Sequence, residues 1–471
     1  MSSVTETISE ERRESLWERP LTSVVVLNWE LVLYGLILVL AIATRFFDLG
    51  TRAVSHDESL HALYSFKLYD GDGYRHDPLM HGPLLFHVTA FMYFLFGDNN
   101  FTFRAGVALF GVVLVMLPYG FRPWLGRLGA LTASLLLLIS PAVLHYSRHL
   151  RHDVFNAVFT VLMFLALFEY LRHREAGEEK KAWRWLYVGA AGVALSLTTK
   201  EVAFIHGFIG LTFIVLISLY EGVGARWRLR LFWVGLGLLV VVGGLILWLT
   251  IGNAGPAPVE EALNPARWVI EGLAGLGERL SRNPEGTPEG YARSVWKLIQ
   301  LAALGIGLVF AATTLGLSAS ERGVMTVAVR GIPLRQLGLA ALLGAVLFVV
   351  FYTTFFTNPY GVVSGTWGAV SYWLRQQDVQ RGGQPWYYYI LLLPLYEFLP
   401  LLVGLAGGVW YLARRVVTLR HLTDSPQPPA LQRYFVALLI YWAVDAEFIY
   451  SWAGEKMPWL TVHLTLRLIF L

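Results

Sequence analysis

The sequence predicts an all-α polytopic membrane protein, and three observations carry that prediction. Of its 471 residues, 56% are apolar and only 15% charged, with a mean hydropathy of +0.54, which excludes a soluble globular protein. Apolar runs of about 20 residues recur along the chain, the length a helix needs to cross a bilayer, so helices are expected rather than a barrel. Charge falls in the short loops between these runs, and Arg and Lys concentrate in alternate loops. That bias also accounts for the net charge of +4, which carries no nucleic-acid meaning. The chain has no cysteine, so nothing depends on a disulfide or a thiolate.

Residues 1–20 are polar and lack the apolar core and small-residue cleavage site of a signal peptide, so the first span is expected to stay in the membrane. Residues 1–30 read as a cytoplasmic N-terminal segment and 31–471 as the transmembrane domain. The first span is expected over 31–47, behind Arg12, Arg13 and Arg19, which places the N-terminus inside and Arg52 onward outside. Residues 81–97 are apolar but short, open on Gly82-Pro83 and carry His87. They are expected to lie along the outer interface. An extra crossing there would invert every later loop.

Paired spans follow, each pair enclosing a basic inner loop. Spans at 102–121 and 127–145 flank Arg122 and Arg127; those at 154–171 and 185–199 flank Arg172, Arg174, Lys180, Lys181 and Arg184. Spans at 202–220 and 231–251 flank Arg226, Arg228 and Arg230, and those at 295–317 and 336–356 flank Arg322, Arg330 and Arg335. The pair at 388–412 and 434–451 flanks Arg414, Arg415 and Arg420. A last span opens at Trp459 and is cut at Leu471, for about 12 in all. The outer loops are 48–101, 252–293 and 358–386. In the second, Asn264 and Pro265 predict the start of a surface helix. The third is rich in Gly and aromatics and shows no helical period. No internal repeat is evident, against the duplicated halves of many transporters.

Four clusters converge on the outer face. The first joins His56-Asp57-Glu58 and His61 to Arg75-His76-Asp77-Pro78 and His81-Gly82-Pro83. The others are Ser147-Arg148-His149 through Arg151-His152-Asp153, then Thr199-Lys200-Glu201, then Gly454-Glu455-Lys456-Met457-Pro458-Trp459. Any one charged residue at a helix end commonly just marks the interface. Four clusters on one side supply carboxylates for base chemistry and cations for a phosphate, where a bilayer can deliver a lipid tail. The His residues do not form a zinc spacing such as His-Glu-x-x-His. Asp445 and Glu447 stand out in an apolar run, where pairing with Lys456 is the simplest expectation.

The order of these motifs resembles the C-type membrane glycosyltransferases, such as protein O-mannosyltransferases and aminoarabinose transferases. It runs from Arg45-Phe46 through Asp57-Glu58, the Gly-Pro-Leu helix after His81, Ser140-Pro141, Ser147-Arg148 and Asp153 to Thr199-Lys200-Glu201. The strings from His81 to His87, Arg381 to Tyr389 and Tyr450 to Trp459 more closely resemble a bacterial and archaeal subfamily known as "flippase activity-associated".

That resemblance implies a C-type glycosyltransferase fold and transfer of a sugar from a polyprenyl-phosphate donor to a lipid, glycan or protein hydroxyl at the outer face of the cell membrane. It passes the role of general base to Asp57, with Glu58 as neighbour or substitute. Direct attack of this kind inverts the anomeric carbon. Arg148, Lys200 and Lys456 become the cations for the leaving phosphate. His56, His61, His81, Arg151, His152, Asp153, Glu201 and Glu455 complete the expected substrate-binding set. Some relatives hold a divalent metal on outer-loop acids, for which Asp57 and Asp153 are the candidate pair here; no other cofactor is indicated. The competing readings are a flippase or transporter of lipid-linked sugars, which should place polar residues along a path at mid-membrane depth, and a silent scaffold.

Overall fold

Long apolar runs fold as helices here because only intra-segment hydrogen bonds satisfy a backbone inside lipid. The computed structural model describes residues 28–222, 323–376, 384–385, 387–420, 430–453 and 456–471. Among them the chain is helical, with no strand. Six helices are long and apolar enough to cross a membrane, or seven if one bent pair counts as a span. The spans expected at 231–251 and 295–317, and the surface helix after Asn264, lie outside the described residues.

Helix α1 (Trp29–Phe46) is capped by Asn28. Helix α2 (His56–Asp70) opens on a capping box between Ser55 and Glu58 and ends at Gly71, whose φ of 94° only glycine adopts cheaply. Helix α3 (Leu84–Phe96) has 13 residues, too few to cross, as the sequence predicts. It packs between α2 and α4 (Thr102–Met116). A 3-10 turn joins α4 to α5 (Arg122–Ile139), and Gly126 breaks the helix there with a φ of 71°. Two side-chain contacts fix the direction of these helices. Glu30 at the start of α1 pairs with Arg122 at 2.8 Å, while Arg45 at its end donates to the carbonyls of Leu137 and Leu138 at the end of α5. Helices α1 and α5 are therefore parallel, with α4 returning between them.

Helix α6 (Pro141–Tyr146) restarts the chain after Ser140; α7 (Asp153–Glu175) and α8 (Glu179–Leu197) form a close antiparallel pair, and α9 (Val202–Gly222) follows. Then come α10 (Val324–Arg330) and α11 (Leu334–Tyr352). The region expected to lack helical period forms a short helical stretch over 361–368 and then α12 (Ala369–Gln376).

The single span expected at 388–412 is two helices, α13 (Tyr388–Tyr396) and α14 (Phe398–Arg420), bent by 104°. The reason is local. Pro394 removes a helical N–H, and the Glu397 carboxylate leaves the helix to accept bonds from Ser140 Oγ and the Ala142 N–H, capping α6. Helices α15 (Ala430–Trp452) and α16 (Thr461–Phe470) close the described fold.

The basic loops gather at one end. Arg122 and Arg127 sit with Glu30, Arg174 reaches the Gly331 carbonyl, and Glu221 accepts from the Met325 and Thr326 N–H groups. The four acidic and histidine-rich clusters gather at the other end.

Candidate active site

The site is assembled where the turns before α2, α7, α9 and α16 meet. Asp57 and Glu58 are adjacent in the first turn of α2, yet the helix sends them into different surroundings. Glu58 is fully buried. Arg104, on the first turn of α4, donates to both its oxygens at 2.9 and 3.0 Å, Arg52 adds a bond of 2.6 Å, and the Leu150 N–H another of 3.1 Å. Burial alone would push its pKa up; these donors and the charge of His149 instead bring it down to about 2. The expected reserve base is thus held by a guanidinium fork and has no exposed surface.

The Asp57 side chain is 44% exposed and pairs with Arg151. Burial raises its pKa, but the charge and hydrogen bond of Arg151 outweigh it and hold the carboxyl below its ordinary value.

Arg151 is the hinge of the arrangement. Its Nε lies 3.5 Å from Asp153, and its guanidinium stacks 3.6 Å from the centroid of the Trp459 ring. Asp153, fully buried at the start of α7, receives Lys200 Nζ at 2.7 Å and His463 Nε2 at 3.3 Å. Lys200 also lies 5.8 Å from the Trp459 ring centroid. One row therefore runs Asp57, Arg151, Asp153, Lys200, alternating in sign, with Trp459 as its wall. Lys456, from the same segment as Trp459, is buried and donates to the Ala453 carbonyl at 2.7 Å; burial lowers its pKa. It pairs with neither Asp445 nor Glu447. Glu447 binds Arg467, and Asp445 bonds to Tyr441.

The histidines form a second layer. His61 donates to the Leu150 carbonyl at 2.9 Å and His152 to the Gly82 carbonyl at 3.1 Å, with ring centroids 5.0 Å apart. Burial brings the pKa of His61 down to about 4 and that of His152 well below its usual value. His81 meets Glu201 at 2.8 Å. The Gly82 and Leu84 N–H groups donate to Thr199 and Thr198, tying the first loop to the α8–α9 turn. His56 is exposed at the rim.

Two expectations change. Arg148 is directed to the end of α1, bonding the carbonyls of Thr44 at 2.6 Å and Asp48 at 3.4 Å, and away from the Lys200 corner. A cation at a helix C-terminus satisfies orphan carbonyls, which explains its place. Asp57 and Asp153 do not fit a divalent metal in this arrangement, because the Arg151 guanidinium stands as ion-pair partner to both. Among the described residues no three His, Asp or Glu side chains converge as a metal site. Glu455 lies outside the described residues.

Sequence reading passed over Arg104 and His463, and took Trp459 only as the end of its motif. Arg104 and His463 each stand inside an apolar run, where an ionisable side chain needs a partner, and that was the available signal.

Residues 53–250 match the family model of dolichyl-phosphate-mannose-protein mannosyltransferases. No curated protein matches the chain. Among solved structures, an Archaeoglobus fulgidus oligosaccharyltransferase tethered with an acceptor peptide is similar at 13% identity and TM-score 0.46, over 94% of this chain. The chain spans only 48% of that protein's length. ArnT from Cupriavidus metallidurans is similar at 16% identity and TM-score 0.34, over 94% of this chain and 77% of that one. The same protein bound to undecaprenyl phosphate aligns at 17% identity and TM-score 0.33, with the same coverage. The stretch matched by the family model contains Asp57, Glu58, Arg104, Asp153 and Lys200, and over that stretch the chain is similar to those mannosyltransferases.

Proposed function

We propose that the protein transfers a sugar from a polyprenyl-phosphate carrier to a hydroxyl acceptor, at the end of the bundle that faces away from the cytoplasm. The observation that carries this reading is the contrast among the carboxylates. Asp57 is 44% exposed, whereas Glu58 and Asp153 are fully buried and Glu201 is 7% exposed. Asp57 can meet an acceptor; the other three hold the cations in place.

In the proposed reaction the acceptor O–H gives its proton to an Asp57 oxygen as its own oxygen bonds to the anomeric carbon. The bond from that carbon to the phosphate oxygen breaks, and the lipid phosphate leaves with the electron pair. Displacement from the far side inverts the anomeric configuration. Arg151 and Lys200, which lie over the Trp459 ring, and Lys456 from the segment that carries Trp459 supply positive charge to the departing phosphate. Glu58 keeps α2 against α4 and thereby aims Asp57. Arg148 ties the 147–150 turn to α1 rather than binding the donor. No step is routed through a metal.

A transporter of lipid-linked sugars would need an open polar path through the membrane. The polar side chains inside this bundle, such as His206, His463 and Arg467, are each at most 1% exposed, which favours the enzyme. The deciding experiment offers purified protein a panel of labelled polyprenyl-phosphate sugars with lipid, glycan and peptide acceptors. Label should move to one acceptor class. Movement of the intact donor across a vesicle membrane, with no transfer from any of the panel, would reverse the choice.

A further inference from the structure

Deeper than Asp153 the bundle buries polar side chains that the proposed reaction does not use. His206 on α9, Trp442 and Tyr450 on α15, and His463 and Arg467 on α16 are each at most 2% exposed. They form one group. The His463 ring lies 5.3 Å from His206 and parallel to Tyr450 at 6.2 Å, and His206 lies 6.1 Å from Trp442. Arg467 is one turn from His463 on the same face of α16 and donates one nitrogen to Glu447.

Much of their hydrogen-bonding capacity is unmet by protein. His206 Nδ1 and Nε2, His463 Nδ1, Tyr450 Oη, Trp442 Nε1, and Arg467 Nε and Nη1 have no partner among the described residues. Buried polar atoms in native proteins are almost always satisfied, by protein or by ordered water. Isolated exceptions occur, but orphans on three helices that face one another imply a shared ligand. A neighbouring cavity of about 10 Å³ is lined by Trp442 and otherwise by apolar side chains, Phe121, Phe164, Phe435 and Leu438 among them. Apolar cavities of that kind stay dry.

We propose that His206, Trp442, Tyr450, His463 and Arg467 enclose a chamber of ordered water inside the membrane domain. Water fits because the orphans include both donors and acceptors, and a buried water makes two to four bonds. A metal does not fit, since among the described residues no three His, Asp or Glu donors converge. Through His463 the chamber reaches the inner side of Asp153, so the buried carboxylate is solvated from within the bundle as well as paired at the site. This inference does not rest on the catalytic reading and stands or falls separately from it.

Hydroxyl radicals generated from water by a brief X-ray pulse oxidise side chains that touch water, trapped water included. The unmodified protein in lipid nanodiscs is exposed and oxidation is read residue by residue by mass spectrometry. Tyr450 and Trp442 should oxidise several-fold faster than Phe435 and Phe168, which are equally buried. Oxidation of Tyr450 no faster than that of Phe435 would show a dry core and overturn the proposal.

Discussion

Two fully buried carboxylates organise the site, Glu58 and Asp153, and they are built to different ends. Every partner of Glu58 terminates on it. Arg104 is itself fully buried and spends its other N–H groups on the carbonyls of Leu49, Arg52 and Ala53, so the knot closes the α1–α2 loop against α4. Asp153 instead shares Arg151 with Asp57, which is exposed. The same pairing of carboxylate and cation is a fastening in one place and a conduit in the other. What separates them is whether the chain of charges ends in protein or at the surface.

The sharpest way to break this comparison is Asp57→Asn, which keeps shape and hydrogen bonding but accepts no proton. Transfer should fall about 10²–10⁴-fold, the usual worth of a general base, with the melting temperature nearly unchanged. Near-normal turnover with a verified donor removes Asp57 as base.

Glu58→Gln should show the opposite pattern. Leaving Arg104 as a buried unpaired charge costs about 3–5 kcal/mol of stability, read from thermal unfolding in detergent. A pH series sharpens the point. The folded pKa of Glu58 is depressed to about 2 from an ordinary 4.5, so its stabilisation is complete above 4.5 and is lost as pH falls from there toward 2. The Gln variant should lose that slope between pH 4.5 and 2. If it keeps the slope, the closed knot is not what acid dissolves.

The smallest effect is expected at Lys456→Ala. Among the described residues its bond is to the Ala453 carbonyl within its own turn, so stability should hold while donor affinity drops about tenfold, in line with one charge-assisted bond of roughly 1.5 kcal/mol. Titration of the lipid-phosphate sugar alongside a melting curve separates the two. A lower melting temperature with unchanged affinity returns Lys456 to a structural part.

Much of this was legible in the chain. The short 81–97 segment, the reversal at Arg122 to Arg127 and the gathering of four clusters at one end all follow from apolar length and the alternation of basic loops. What could not be read was pairing at a distance. Asp57 and Glu58 are indistinguishable by type and neighbourhood, and only the partner 46 residues on, Arg104, reveals which is closed off. Arg148 looked like a phosphate ligand because its fate is decided by two backbone carbonyls, which carry no sequence label. Glu447 took Arg467 rather than Lys456 because α15 and α16 present them to each other. The break at 397 was announced by Pro394 but hidden by the apolar run around it.

Gly82 carries a consequence of its own. A methyl group added there would run into the Thr198 carbonyl, so in the string His-Gly-Pro only the first residue offers a functional side chain, and the second is a space kept empty for backbone. With the loop stitched to the α8–α9 turn through that space, it cannot swing open and shut like a door over the membrane. The site is ready before anything arrives. In the proposed reaction a lipid donor would then be carried by two-dimensional diffusion in the bilayer to a standing harbour.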